Sequence, residues 1–202
     1  MAIHDRVAKI YDTILFQFFY LWSHKYSTGF IKDFLPKNSR ILDIACATGN
    51  FLYKLQNLGM DLKLFGVDES QAMIKRAQRK FQNIDFITCK AEGLPFTKEY
   101  FDLITICDAF YYFKDKEKVI SECSRVLKAG GCLFIFYPAI DLFPQLFLKI
   151  IKWFSRYFFF NLEQDTHFIP VNELVKLADK YDLKLIKKKL KSLNWFFVFQ
   201  KT

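Results

Sequence analysis

A chain of 202 residues with 52% hydrophobic side chains can build one domain around a substantial core, and it is too apolar to stay disordered. Its formal net charge of +9 favours anionic partners without fixing a fold, and 25 phenylalanines leave aromatic surface over for a pocket or a partner. The cysteines Cys46, Cys89, Cys107, Cys123 and Cys132 form no C-x-x-C pair, and His4, His24 and His167 are dispersed, which argues against a disulfide framework, a zinc site or any other metal centre.

The N-terminal MAIHDRVAKIYD is charged, and the first apolar run, Ile14 to Trp22, comes late, so no signal peptide is read there. No uncharged apolar run reaches the roughly 18 residues of a spanning helix, and with reduced thiols the expected location is cytoplasmic. A helical cap is expected over about 1–35. Strand character follows at Arg40 to Ala45, Leu62 to Val67, Ile84 to Cys89 and Phe101 to Cys107, with helix-length segments at Asn50 to Leu58 and Ser70 to Gln82. A helix from Lys116 to Leu127, ended by Ala129-Gly130-Gly131, precedes a fifth strand from Cys132 to Tyr137. Strands alternating with helices predict an α/β fold, and near-continuous apolar strands predict a mainly parallel, doubly wound sheet buried on both faces.

After Pro138 the style changes. An insertion over about 138–168 contains Asp141 to Phe160, whose apolar positions such as Phe147 and Phe154 oppose Lys149, Lys152 and Arg156. That is an amphipathic basic helix, suited to a lid on the sheet edge, a cover for an apolar substrate, or peripheral contact with an anionic membrane. A helix near Val171 to Tyr181 and two strands, Leu183 to Leu190 and Trp195 to Gln200, end the chain as an antiparallel hairpin joined by Lys191 to Asn194. The run Lys187 to Lys189 reads as a solvated face. No repeat or linker divides the chain, so residues 1–202 are expected to form a single domain.

The first strand runs into Asp43-Ile44-Ala45-Cys46-Ala47-Thr48-Gly49-Asn50. An acidic strand end, small residues at alternate positions and a helix start make a loop that a ligand can approach closely. Asp68 ends the second strand 25 residues further on, where a carboxylate accepts from ribose hydroxyls in nucleotide-binding α/β folds. An ordinary strand–turn–helix accounts for each feature singly; together they favour nucleoside binding.

These residues resemble the class I S-adenosylmethionine-dependent methyltransferases, in the style of the ubiquinone and menaquinone C-methyltransferases, with a Rossmann-like sheet. The resemblance runs from about Tyr11 to Tyr137 and rests on ILDIACATGNF, GVDESQAMIKRA, CKAEGLPF, YFDLITI and RVLKAGGCLFI, in that order. It implies S-adenosylmethionine as cofactor and S-adenosylhomocysteine as product. Asp43 and the Ala45, Ala47 and Gly49 backbone would hold the methionine part, Asp68 with Glu69 beside it the ribose, and Met73 the adenine face. The Ala91 N–H would meet the adenine edge, Cys107 and Asp108 would border the sulfonium, and Tyr11 would close over the cofactor. Ala45 and Ala47 replace family glycines, so a left-handed backbone there would be strained by about 1 kcal/mol each. Lys90 replaces an acidic residue, so the adenine amino contact is either lost or moved to Glu92.

Because a sulfonium methyl is already electrophilic, the protein has to align an acceptor and remove its proton. Tyr111, Tyr112 and His167 are the candidates for that, and His167 is equally readable as a capping residue. The leading expectation is a methyltransferase for a small, apolar or aromatic acceptor, lipid-like if the basic helix meets a membrane. A nicotinamide-dependent oxidoreductase would need Gly in place of Asn50. Nucleic-acid methylation lacks its motif after the fourth strand and a basic stripe with interleaved aromatics. The alternative is a non-catalytic binding protein with a degraded cofactor loop.

Overall fold

The computed structural model describes Asp12, residues 26–139 and residues 167–202. The expected lid helix of 141–160 and most of the N-terminal cap lie outside these residues. Seven strands form one sheet: β1 (Arg40–Ile44), β2 (Lys63–Asp68), β3 (Asp85–Thr88), β4 (Phe101–Cys107), β5 (Leu127–Pro138), β6 (Leu183–Lys191) and β7 (Asn194–Lys201). Their spatial order is β3-β2-β1-β4-β5-β7-β6. The first five are parallel, and β7 runs antiparallel to both β5 and β6. This is the doubly wound, mainly parallel sheet with a closing hairpin that the strand pattern predicts.

Helices cover both faces because the strands are apolar on both. On one face α1 (Asn50–Gln56), α2 (Gln71–Lys80) and helical residues 26–31 pack Phe51, Leu52, Ile74, Phe30 and Ile31 on Ile41, Leu103, Phe134 and Phe196. On the other, α3 (Lys116–Val126) and α4 (Val171–Asp179) pack Val119, Ile120, Cys123 and Leu174 on Leu42, Ile104, Ile135 and Phe197. Burying each such side chain contributes roughly 1.5–3 kcal/mol, which is what orders the sheet edges that carry the loops.

Two local expectations are corrected. Ala129-Gly130-Gly131 does not end a helix: α3 stops at Val126 and the chain enters β5 at once. The extra residues are absorbed as a bulge, since Phe101 pairs with Leu127 but Leu103 pairs with Cys132. Gly130 takes φ +75°, and a side chain at Gly131 would meet the Lys128 carbonyl oxygen at 2.9 Å. Glycine therefore serves a strand kink here. The hairpin connection is also shorter than expected: only Ser192 and Leu193 turn it, both left-handed with φ 48° and 61°. Positive φ at both central positions is the hairpin turn that matches strand twist.

No helix among the described residues is long and apolar enough to cross a membrane.

Candidate active site

The carboxyl ends of β1, β2 and β4 meet at one edge. Asp43 pairs in register with Gly66 on β2 and Thr105 on β4. Strand neighbours in register point to one face, so the Thr105 hydroxyl donates to Asp43 Oδ1 at 2.7 Å. Asp43 is buried, and among the described residues no cation pairs with it. Burial pushes its carboxyl up to about 7 despite the Thr105 bond, with the nearby Asp68 charge adding to the rise.

The loop after β1 holds three left-handed residues at alternate positions: Ala45 (φ 58°), Ala47 (φ 48°) and Gly49 (φ 78°). The glycine-type backbone is thus kept although two side chains oppose it. Asp68 braces this conformation, its Oδ2 accepting from the Ala47 N–H at 2.9 Å and its Oδ1 from the Ser70 N–H at 2.8 Å. Glu69 beside it is exposed. Ser70 caps α2, accepting from the Met73 N–H. Met73, in the first turn of α2, is buried at 3% exposure.

The segment after β3 joins the same edge through the Cys89 N–H, which donates to the Asp68 carbonyl at 3.1 Å. Ala91 is buried, Glu92 is half-buried and Lys90 is exposed. A pair on α3 holds the following L-P-F turn: Glu122 accepts from the Leu94 N–H at 2.9 Å, and Arg125 donates to the Leu94 and Phe96 carbonyls at 3.0 and 2.7 Å. The two side chains also pair with each other at 2.7 Å. Their spacing of three on a helix marks the mutual pair in the sequence, but not the turn that the pair holds.

At the end of β4, Asp108 is left-handed (φ 54°), and its N–H donates to the Phe136 carbonyl at 3.2 Å. The 3-10 turn Phe110–Tyr112 then brings Tyr111 back, so its hydroxyl donates to Asp108 Oδ1 at 3.1 Å. Burial pushes the Asp108 carboxyl up to about 7, opposed by that bond. Cys107 is raised by burial and by the Asp43 and Asp108 charges, which keeps it a neutral thiol. Burial also raises Tyr112, whose ring lies 4.4 Å from that of Tyr111.

His167 stands apart from this group. Its main-chain N–H donates to the Tyr111 carbonyl at 2.6 Å, and Phe168 stacks on the Tyr111 ring at 4.6 Å. Its side chain is exposed and lines a cleft of about 570 Å³ with Lys114, Asp115, Lys116, Glu117, Ile169, Glu173 and Leu177. None of Asp43, Asp68 or Asp108 lines that cleft.

Tyr11 lies outside the described residues, but its neighbour Asp12 reaches the loop. Asp12 Oδ1 accepts from the Thr48 hydroxyl at 2.7 Å, Asn50 at 3.1 Å and Lys80 at 2.9 Å. Burial pushes this carboxyl up, but those bonds and the Lys80 charge together hold it below the usual range. The arrangement offers a buried carboxyl without a cation among the described residues, a second carboxylate that braces the left-handed loop, and a protonatable Asp–Tyr pair. These suit the ammonium, ribose and sulfonium of S-adenosylmethionine in turn.

Residues 41–131 match the family model described as methyltransferase domain. The demethylmenaquinone methyltransferase of Thermotoga maritima is 32% identical over 145 residues, which cover 71% of this chain and 62% of that protein. A ubiquinone/menaquinone biosynthesis C-methyltransferase of Campylobacter jejuni is 31% identical over 120 residues, 57% of this chain and 51% of that one. The chain therefore spans between half and two thirds of these curated relatives. A solved structure of a Pyrococcus horikoshii protein shares the fold, with a TM-score of 0.76 and 21% identity over 91% of each chain.

Proposed function

We propose that this chain is a class I S-adenosylmethionine-dependent methyltransferase and that it transfers the cofactor's methyl group to a small aromatic acceptor of the quinol class. The observation that carries the reading is the Asp108–Tyr111 pair beside the braced loop. Bound S-adenosylmethionine supplies an electrophilic methyl on its sulfonium. Asp43, buried without a cation among the described residues, would hold the ammonium of the methionyl part, and Asp68 the ribose hydroxyls. Met73 would pack on adenine, and the Glu122–Arg125 clamp fixes the turn next to Ala91.

Asp108 would take the proton of an acceptor hydroxyl. A carboxyl titrating near neutrality is matched to that task, and the Tyr111 hydroxyl orients it. A quinol acceptor is supported by the names of the two relatives, which act on quinone precursors by those names. His167 is not given a chemical role, because its side chain lines the separate cleft.

A second reading, cofactor binding without transfer, is favoured by the left-handed Ala45 and Ala47, which glycine would occupy without strain. One experiment separates the two. The chain is titrated with S-adenosylmethionine and S-adenosylhomocysteine by calorimetry, then given methyl-labelled cofactor and a panel of prenylated quinols. Binding with label in the organic phase supports transfer. Binding with no label on any quinol leaves the binder reading, and no binding of either compound removes both.

A further inference from the structure

β6 is an outer strand of the sheet, and from Lys188 to Leu193 every residue is exposed. Among the described residues five large apolar side chains stand exposed, and three of them lie on this one hairpin: Ile186 at 46%, Leu190 at 42% and Leu193 at 57%. Scattered exposed apolar groups are ordinary; three gathered on one hairpin are not. The strand pairing shifts between Leu185 and Lys187, leaving Ile186 out of the ladder.

Cations surround them. Lys188 lies over the Trp195 ring at 4.1 Å, and Lys189 and Lys191 over Tyr26 at 5.8 and 4.1 Å. No carboxylate pairs with these three among the described residues. Lysines on an edge strand already discourage strand-to-strand aggregation, but that does not account for leucines held out between them. Leu193 even occupies a left-handed turn position where Gly or Asn is preferred.

The tip also has an address. Pro138 pairs with Asn194, and the Ala139 N–H donates to the Leu193 carbonyl at 2.9 Å, so the turn sits at the carboxyl end of β5. That is the edge that carries the β1 loop and Asp108.

We propose that the β6–β7 hairpin docks on an anionic lipid bilayer, with Leu190 and Leu193 entering the interface and Lys188, Lys189 and Lys191 meeting phosphate. Apolar insertion flanked by cations is the combination that such a surface rewards. Docking this way turns the site edge toward the membrane, and it does not depend on which acceptor is used.

The test is co-sedimentation of the full chain with phosphatidylcholine vesicles, with and without phosphatidylglycerol. Binding should require phosphatidylglycerol and weaken with salt. Lys188→Glu with Lys191→Glu should weaken it by roughly fivefold or more per lysine. Leu190→Ser with Leu193→Asn should weaken it by roughly tenfold or more, with cofactor affinity unchanged in both variants. Should the leucine variant not fold, the lysine pair alone decides. The proposal is overturned if the chain ignores phosphatidylglycerol, or if Lys149→Glu with Lys152→Glu releases it while both hairpin variants stay bound. A dimer that dissociates in the leucine variant would overturn it too, because a second copy would then cover the hairpin.

Discussion

The Asp68 carboxylate and the Ala47 main chain lie on different strand–helix turns, and a 2.9 Å hydrogen bond ties one to the other. The residue that would hold the cofactor ribose is therefore also the brace of the loop beneath the cofactor. Asp68→Ala should lower both folding stability and cofactor affinity, each by about 1.5–3 kcal/mol, the range for hydrogen bonds to a charged group. Calorimetry and thermal melting on one preparation check this. A folded variant that melts early yet binds normally would leave only the brace.

The loop's two alanines make an inverted prediction. Ala→Gly usually destabilises through chain entropy, but at Ala45 and Ala47 it should stabilise, because φ 58° and 48° cost an L-residue about 1 kcal/mol. In a chain of this size that raises the melting temperature by about 2–4 °C per site. Ala47→Val should go the other way by more. If both glycine variants melt below the parent, the alanines are packed in ways that outweigh the strain.

The pH dependence of stability should be unusual in sign. Asp43 and Asp108 titrate at about 7 in the folded chain, above the ordinary carboxyl value of the unfolded one. The folded state then binds more protons between about pH 4 and 7, so stability is fully present below that window and falls as pH rises through it. Asp43→Asn should flatten part of the slope in melting curves taken from pH 4 to 8. Cofactor affinity should move oppositely, tightening toward pH 8 as Asp43 gains the charge that attracts an ammonium.

For transfer itself, the rate should rise through about pH 7 with the ionisation of Asp108. Tyr111→Phe removes the bond that favours the ionised form and should shift the profile to higher pH without abolishing activity. Asp108→Asn should remove the dependence and most of the rate. His167→Ala should leave the profile in place, since that side chain is exposed in another cleft. A profile that moves with His167 and ignores Asp108 would transfer the base role to the histidine.

Local signals carried much of this architecture. Alternation of apolar strands and helix-length segments is read from neighbours in sequence, and so are the Asp43-to-Gly49 loop and Asp68. What stayed hidden depends on register and distance. Thr105 is flanked on both sides by apolar strand residues, and only the pairing of β4 with β1 sets its hydroxyl against Asp43. Glu122 and Arg125 reach a turn about thirty residues back, and Asp12 reaches Thr48, contacts that no local pattern encodes. The Ala129-Gly130-Gly131 signal was visible but ambiguous, since glycine ends helices and kinks strands for the same conformational reason. The imidazole of His167 marks it as a candidate base, but a residue's chemistry says nothing about which cleft its side chain faces.

Phe86 occupies the space beside two glycines at once. A Cβ at Gly49 would stand 2.6 Å from its ring and one at Gly66 2.7 Å, so one aromatic side chain limits both positions, and at Gly66 the Cys46 Sγ at 2.8 Å shares that limit. Substitutions at these three sites should be strongly non-additive. Phe86→Leu with Cys46→Ala ought to make Gly66→Ala acceptable, because Gly66 is barred by contact with both side chains and not by its backbone angle. It should not rescue Gly49→Ala to the same degree, since φ +78° persists whatever fills the space. Mutational paths that reshape this loop would thus have to pass through Phe86, and at Gly66 through Cys46 as well, before either glycine can gain a side chain.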